Sequence, residues 1–157
     1  MSFNYPKKVV IGDITVRDGF QHEEIYVPTE AKLWVLEELI LAGFKRLEVT
    51  NFGNPRGMPQ FKDADELYKA LYNSRRVKHL LDEVETTSIT IREKAVERAI
   101  AAKQAGHGPD RILFMVSTSE SHHRTNSGLS LAEYWKMCEN MIPKIHDAGI
   151  KVCGTVS

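Results

Sequence analysis

Residues 42–49 read AGFKRLEV: a small residue and a glycine, a short basic loop, then apolar and polar residues in alternation. The same order recurs twice. Ala105-Gly106 precedes HGPDRILFMV, and Ala148-Gly149 precedes IKVCGTV. Each copy predicts a helix that closes at a glycine, because a helix commonly ends on a residue at positive φ, followed by a β-strand. The helix starts are marked too. Thr90-Ile91-Arg92-Glu93 and Ser130-Leu131-Ala132-Glu133 both fit the capping box, a hydroxyl at the cap with a carboxylate three residues on. Asp63-Ala64-Asp65-Glu66 opens another helix, and Thr29-Glu30, after Pro28, opens the first. In that first helix Leu33, Leu36 and Ile40 share a face, as packing on a sheet requires.

The resulting reading is strand 9–16, helix 30–42, strand 46–52, helix 63–73, strand 79–87, helix 91–105, strand 111–117, helix 131–148 and strand 151–156. The third strand, HLLDEVETT, is the least regular, because acidic residues interrupt it. Strict β/α alternation means parallel strands joined by right-handed crossovers. Two architectures satisfy it. A doubly wound sheet calls for a glycine-rich phosphate loop after the first strand, and Arg17-Asp18-Gly19 has a single glycine with the helix about ten residues away. A (β/α)8 barrel fits better. A whole barrel takes about 250 residues, so five strands and four helices over residues 1–157 read as one α/β domain, the N-terminal half of a TIM barrel.

Composition narrows the function. With 21 basic and 21 acidic side chains the net charge is zero, which gives no electrostatic reason to expect nucleic acid or an anionic membrane as partner. No apolar run approaches the roughly 18 residues of a spanning helix, and MSFNYPKK has no apolar core of a secretory signal. Two cysteines, Cys138 and Cys153, make neither a disulfide framework nor a zinc motif, and a reduced cytoplasmic setting is the simplest expectation.

In a barrel enzyme, chemistry collects at the C-terminal ends of the strands. Strand one ends there in Arg17 and Asp18, strand two carries Glu48, Thr50 and Asn51, strand three ends in Thr86, Thr87 and Ser88, and strand four in Ser117, Thr118, Ser119 and Glu120. The Arg17-Asp18 pair has two readings. It is an exposed ion pair worth little, or Asp18 is a hard oxygen ligand for a divalent cation and Arg17 stabilises a developing oxyanion. Glu48 either pairs structurally with Arg17 or Arg46, or orients Arg17 in a site.

VRDGFQHEE (16–24), with LEVTNFGNPRGMPQFKDADEL (47–67), resembles the hydroxymethylglutaryl-CoA lyase group of the metal-dependent lyase and Claisen-condensation barrels. That superfamily also holds isopropylmalate and homocitrate synthases and the carboxyltransferase domains of pyruvate carboxylase. The resemblance continues through Ser119-Glu120, Asn126 and Ser130 to Glu133, and through KVCGTVS (151–157). It implies that Asp18 ligates Mg2+ or Mn2+, that Arg17 and Glu48 are catalytic, and that Arg17, Gln21, Ser117 and Thr118 meet an acyl-CoA substrate. The implied reaction is retro-Claisen cleavage of a 3-hydroxyacyl thioester such as 3-hydroxy-3-methylglutaryl-CoA. A Claisen-type condensing synthase and a non-catalytic half-barrel assembly module are the alternatives.

The departures matter equally. The lyases usually have asparagine after the glutamine, where this chain has His22. The family's His-x-His pair, its ligating asparagine and its loop cysteine belong to later strands. His122 and His123 read as solvated loop residues, since neighbours in an extended segment point opposite ways. His79, His107 and His146 read as surface residues, Cys138 and Cys153 as buried thiols, and Met137 and Met141 as a core stripe. A half barrel has two raw sheet edges. Three explanations stand open: a piece of a longer protein, a half barrel that forms a homo-oligomer or pairs with a separate C-terminal half, or a relic without catalysis. The 157 residues alone are expected to bind Mg2+ or Mn2+ weakly, to cleave no acyl-CoA, and not to persist as a monomer.

Overall fold

The computed structural model describes residues 4–157. Five strands, β1 (Gly12–Asp13), β2 (Arg46–Asn51), β3 (Glu85–Ile89), β4 (Arg111–Val116) and β5 (Lys151–Val156), pair in parallel in chain order. They curl as half of a (β/α)8 barrel. Helices α1 (Thr29–Leu41), α2 (Ala64–Asn73), α3 (Glu93–Gln104), α4 (Glu120–Ser127) and α5 (Leu131–Asp147) connect them, with 3-10 turns at Pro59–Phe61 and Lys78–Glu83. The three Ala-Gly marks hold: Gly43, Gly106 and Gly149 all lie at positive φ just past a helix. None of these helices is long and apolar enough to cross a membrane.

Strand alternation divides the two faces of the sheet. Leu47, Val49, Ile112 and Phe114 are buried in one cluster with Leu36 and Ile40 of α1, Leu67 and Leu71 of α2, and Met141 and Ile145 of α5. Full burial stabilises each such side chain by roughly 1.5–3 kcal/mol. The alternate residues Arg46, Glu48, Glu85, Arg111 and Lys151 carry ion pairs instead.

Several sequence expectations are corrected. Strand one is two residues long, not 9–16, because Thr15–Gly19 winds into a wide π-type turn while Val9, Val10 and Ile11 stay exposed. Residues 79–83 form part of a 3-10 turn, and the third strand shifts to Glu85–Ile89. Thr90 does not cap α3. It is fully buried, and Arg92 occupies the cap. Asp63 stands at the cap of α2 but directs its carboxylate to Lys32 and Thr29. Leu33 is only partly buried, while Leu36 and Ile40 are core. The Ser130–Glu133 capping box is present in full.

The largest miss is α4, a fifth helix where a loop was expected. It places His123 in the core at 1% exposure, with its ring 4.5 Å from that of Tyr134 and its Nδ1 3.4 Å from the Ser117 amide. His122 remains exposed. Cys138 is buried, and burial pushes its thiol pKa up, so it is a poor nucleophile. Cys153 is half-buried rather than buried.

Candidate active site

The wide turn after β1 is what builds the site. The Asp13 carboxylate accepts from the Thr15 amide at 2.8 Å and the Thr15 hydroxyl at 3.1 Å, and the Asp18 amide closes the turn on the Ile14 carbonyl at 2.7 Å. Val16, 1% exposed, pins the turn into the core. Arg17 and Asp18 are thereby lifted to the C-terminal rim of the sheet.

Arg17 is not a surface residue: it is 8% exposed. Its Nε donates to Oε2 of Glu48 at 2.7 Å, its Nη2 lies 2.6 Å from the same oxygen, and its Nη1 donates to Oδ1 of Asp18 at 2.5 Å. Arg46 pairs with Glu85 instead, so Glu48 belongs to Arg17. A guanidinium carries about five N–H donors, so this triad orients Arg17 without exhausting it. The two carboxylates differ. Glu48 is largely covered at 15% side-chain exposure, whereas Asp18 is open at 46%. The Glu48 contact therefore fixes the geometry, and the Asp18 contact is the exposed kind that contributes little to stability. Thr87, the register partner of Glu48, has a buried hydroxyl with no hydrogen-bond partner among the described residues.

Gln21 stands apart from the triad. With His22 and Glu23 it lines one wall of a cleft of about 240 Å³ whose other wall is Gly57 to Phe61. Ser117 and Thr118 sit two strands from Glu48, at the end of β4. The Ser117 hydroxyl is 3.3 Å from that of Ser157, and the Thr118 amide and hydroxyl donate to the Ser157 carbonyl at 2.7 and 3.2 Å. These groups tie β4 to β5 and do not join the Arg17 cluster.

A divalent cation of the Mg2+ or Mn2+ class needs several convergent oxygen ligands. Among the described residues no three His, Cys, Asp or Glu side chains converge to hold a metal ion. Asp18 offers one open carboxylate, with one oxygen already engaged by Arg17. One open carboxylate does not by itself make a cation site.

Gln60 was missed by sequence reading. It is 5% exposed and binds three backbone groups of the loop beside the site. Its stretch, Pro59-Gln60 to Asp63, falls within the lyase resemblance and marks a helix start, but nothing in it assigns Gln60 a role.

Residues 8–157 match the family model described as HMGL-like. The chain is 28% identical over 129 residues to hydroxymethylglutaryl-CoA lyase YngG of Bacillus subtilis (strain 168), covering 82% of this chain and 39% of that protein. It is 28% identical over 152 residues to the mitochondrial hydroxymethylglutaryl-CoA lyase of Rattus norvegicus, covering 97% of this chain and 43% of that protein. The crystal structure of the HMG-CoA lyase of Bacillus subtilis shares its fold with a TM-score of 0.83 at 24% identity, over 98% of this chain and 48% of that one. The chain thus spans under half the length of the relatives it matches. With almost its whole length inside the family model, the chain belongs to the HMGL-like family.

Proposed function

We propose that this chain forms the arginine-bearing corner of a carbon–carbon lyase that cleaves a 3-hydroxyacyl thioester such as 3-hydroxy-3-methylglutaryl-CoA, within a longer or assembled barrel. The observation that carries this reading is the buried Arg17, locked by Glu48 from behind while Asp18 stays open to the rim. Family membership and the lyase relatives support it. In retro-Claisen cleavage a base removes the proton of the 3-hydroxyl, the bond between C2 and C3 breaks, and the electron pair passes to the thioester as an enolate. Arg17 has donors left to meet that enolate oxygen. A preset donor of this kind is worth about 10²–10³ in rate, because it needs no reorganisation as charge develops. Glu48 is a positioning residue that fixes the guanidinium plane. Asp18 would contribute one carboxylate to a divalent cation that polarises substrate oxygens, with the remaining ligands outside this chain. Gln21 lines the adjacent cleft and is proposed to face substrate, as are Ser117 and Thr118. A cytoplasmic setting is part of this proposal; relatives of the chain include both mitochondrial and cytoplasmic lyases.

One observation favours the assembly-module reading for these 157 residues alone: a single exposed carboxylate is not a metal site. Product analysis separates the readings. The native polypeptide, supplied with Mn2+ and 3-hydroxy-3-methylglutaryl-CoA, is expected to release acetyl-CoA and acetoacetate. Condensation of acetyl-CoA with a 2-oxo acid, and no cleavage, identifies a synthase. Neither reaction identifies a non-catalytic module.

A further inference from the structure

The loop from residue 20 to residue 28 joins the turn bearing Arg17 and Asp18 to α1, and it carries the Gln21 wall of the cleft. Little of its own holds it. The Glu23 amide reaches the Phe20 carbonyl at 3.3 Å, and Ile25 is 82% exposed. Gln60 supplies what is missing. Its Nε2 donates to the carbonyls of Glu23 at 2.6 Å and Ile25 at 2.9 Å, and its Oε1 accepts from the Val27 amide at 3.2 Å. Both donors and the acceptor of the carboxamide are thus used on three loop backbone groups.

Gln60 is itself anchored. Its backbone carbonyl accepts from Nζ of Lys32, a side chain 1% exposed. The same Nζ donates to Oδ1 of Asp63 at 2.8 Å, and Oδ2 of Asp63 accepts from the Thr29 hydroxyl at 2.7 Å. The Tyr26 ring packs 4.6 Å from Lys32 Nζ and 3.8 Å from Lys62 Nζ. One continuous chain of bonds therefore runs from the loop, through Gln60, to the start of α1 and the cap of α2. A buried polar network in which every member is satisfied specifies one geometry, and a partial one does not.

We propose that Gln60 is a positioning residue: its carboxamide clamps the 20–28 loop and so sets the Gln21 side of the cleft beside Arg17 and Asp18. The clamp stands on these contacts alone. Its consequence for turnover rests on the lyase reading.

The test is amide hydrogen exchange by NMR, with protection factors corrected for intrinsic rates. In Gln60→Met, of similar length but without donors or acceptor, Val27 protection is expected to fall by at least about tenfold while Val96 and Ile145 keep theirs, as for a local opening. In Gln60→Glu the carboxylate can still accept from Val27 but cannot donate to Glu23 and Ile25, whereas the protonated acid can donate to one of those two carbonyls. Val27 protection in that variant is expected to rise as pH falls through the range of the introduced carboxyl, a rise not expected of the parent chain, which carries an amide there. Unchanged Val27 protection in Gln60→Met overturns the clamp. So does an equal loss at Val96 and Ile145, which would make Gln60 a general stability residue. If Gln60→Met does not fold, the pH profile of Gln60→Glu decides, and a flat profile overturns the proposal. Turnover read in the same variants of the native polypeptide reports separately on the lyase reading: exchange changes without any cleavage by the native polypeptide would leave the clamp standing and remove the lyase.

Discussion

The two ends of the sheet use the same residue types to opposite effect. At the N-terminal end, Glu85 is ringed by Arg46 at 2.8 Å, Arg111 at 2.8 Å and Lys151 at 3.2 Å, with Lys45 and Glu83 paired beside them. One carboxylate there binds cations from three strands, and its oxygens are committed to them. Toward the C-terminal end, at Glu48 in the middle of β2 and in the turn after β1, the proportion is inverted: one arginine is held by two carboxylates, one of them open to solvent. The lower cluster ties β2, β3, β4 and β5 together. The upper cluster leaves donors on Arg17 and an open carboxylate on Asp18. In barrel enzymes the active site sits at the C-terminal face of the strands.

The largest effect that would sharpen this contrast is expected from Glu48→Ala. It removes the covered partner of a buried arginine, which costs about 3 kcal/mol when the remaining charge is left poorly compensated. It also frees the guanidinium to wander, which on the proposed lyase reading should lower turnover of the native polypeptide by about 10²-fold. Urea unfolding and steady-state kinetics read the two quantities. Full activity in this variant would break the claim that Glu48 orients Arg17.

Next is Glu85→Gln, expected to reduce stability by about 1–3 kcal/mol through three weakened contacts, with no change in KM or kcat. A large activity loss without destabilisation would erase the distinction between the two ends. The smallest expected effect concerns pH. Burial alone would raise the Glu85 pKa, but Lys151, Arg111 and Arg46 outweigh it, and the value lies below its ordinary 4.5. A group with a depressed folded-state pKa contributes stability that is complete above the unfolded value and is lost as pH falls through the folded one. The parent chain should therefore lose this contribution below about pH 4.5, and the stability curve of Glu85→Gln should be flatter there. Parallel curves would show that Glu85 is not the carboxylate that matters.

The fold was legible because the helix ends carry a local signal that tertiary packing does not override. Gly43, Gly106 and Gly149 each take the positive φ that their place in the pattern demands. The misses have identifiable causes. Val9 to Ile11 look like a strand by residue type, yet pairing begins only at Gly12, so β-propensity there finds no partner. Helix α4, ESHHRTNS, has no apolar stripe to reveal it. Its signals are the Ser119 side chain accepting from the His122 amide and Gly128 at φ 68. Once α4 is a helix, the adjacency of His122 and His123 means something different: one ring goes to solvent and the other beside Tyr134.

At the site, the Arg17-Asp18-Glu48 grouping could be anticipated because strand ends converge in a barrel. The burial of Arg17 could not, since it follows from the wide turn at Thr15–Gly19 rather than from any residue pattern. Gln60 was hidden for a similar reason: its partners lie 33 to 37 residues away and are all backbone groups, which carry no sequence signature.

The central claim is that Arg17, held by Glu48, meets charge that develops only during bond cleavage. Its most direct test is the steady-state kinetics of Arg17→Gln in the native polypeptide with 3-hydroxy-3-methylglutaryl-CoA. The account expects kcat to fall by about 10²–10³-fold with KM nearly unchanged, as for loss of an interaction made in the transition state. A variant with the parent kcat and a raised KM would contradict it, and would make Arg17 a substrate anchor rather than a stabiliser of the enolate.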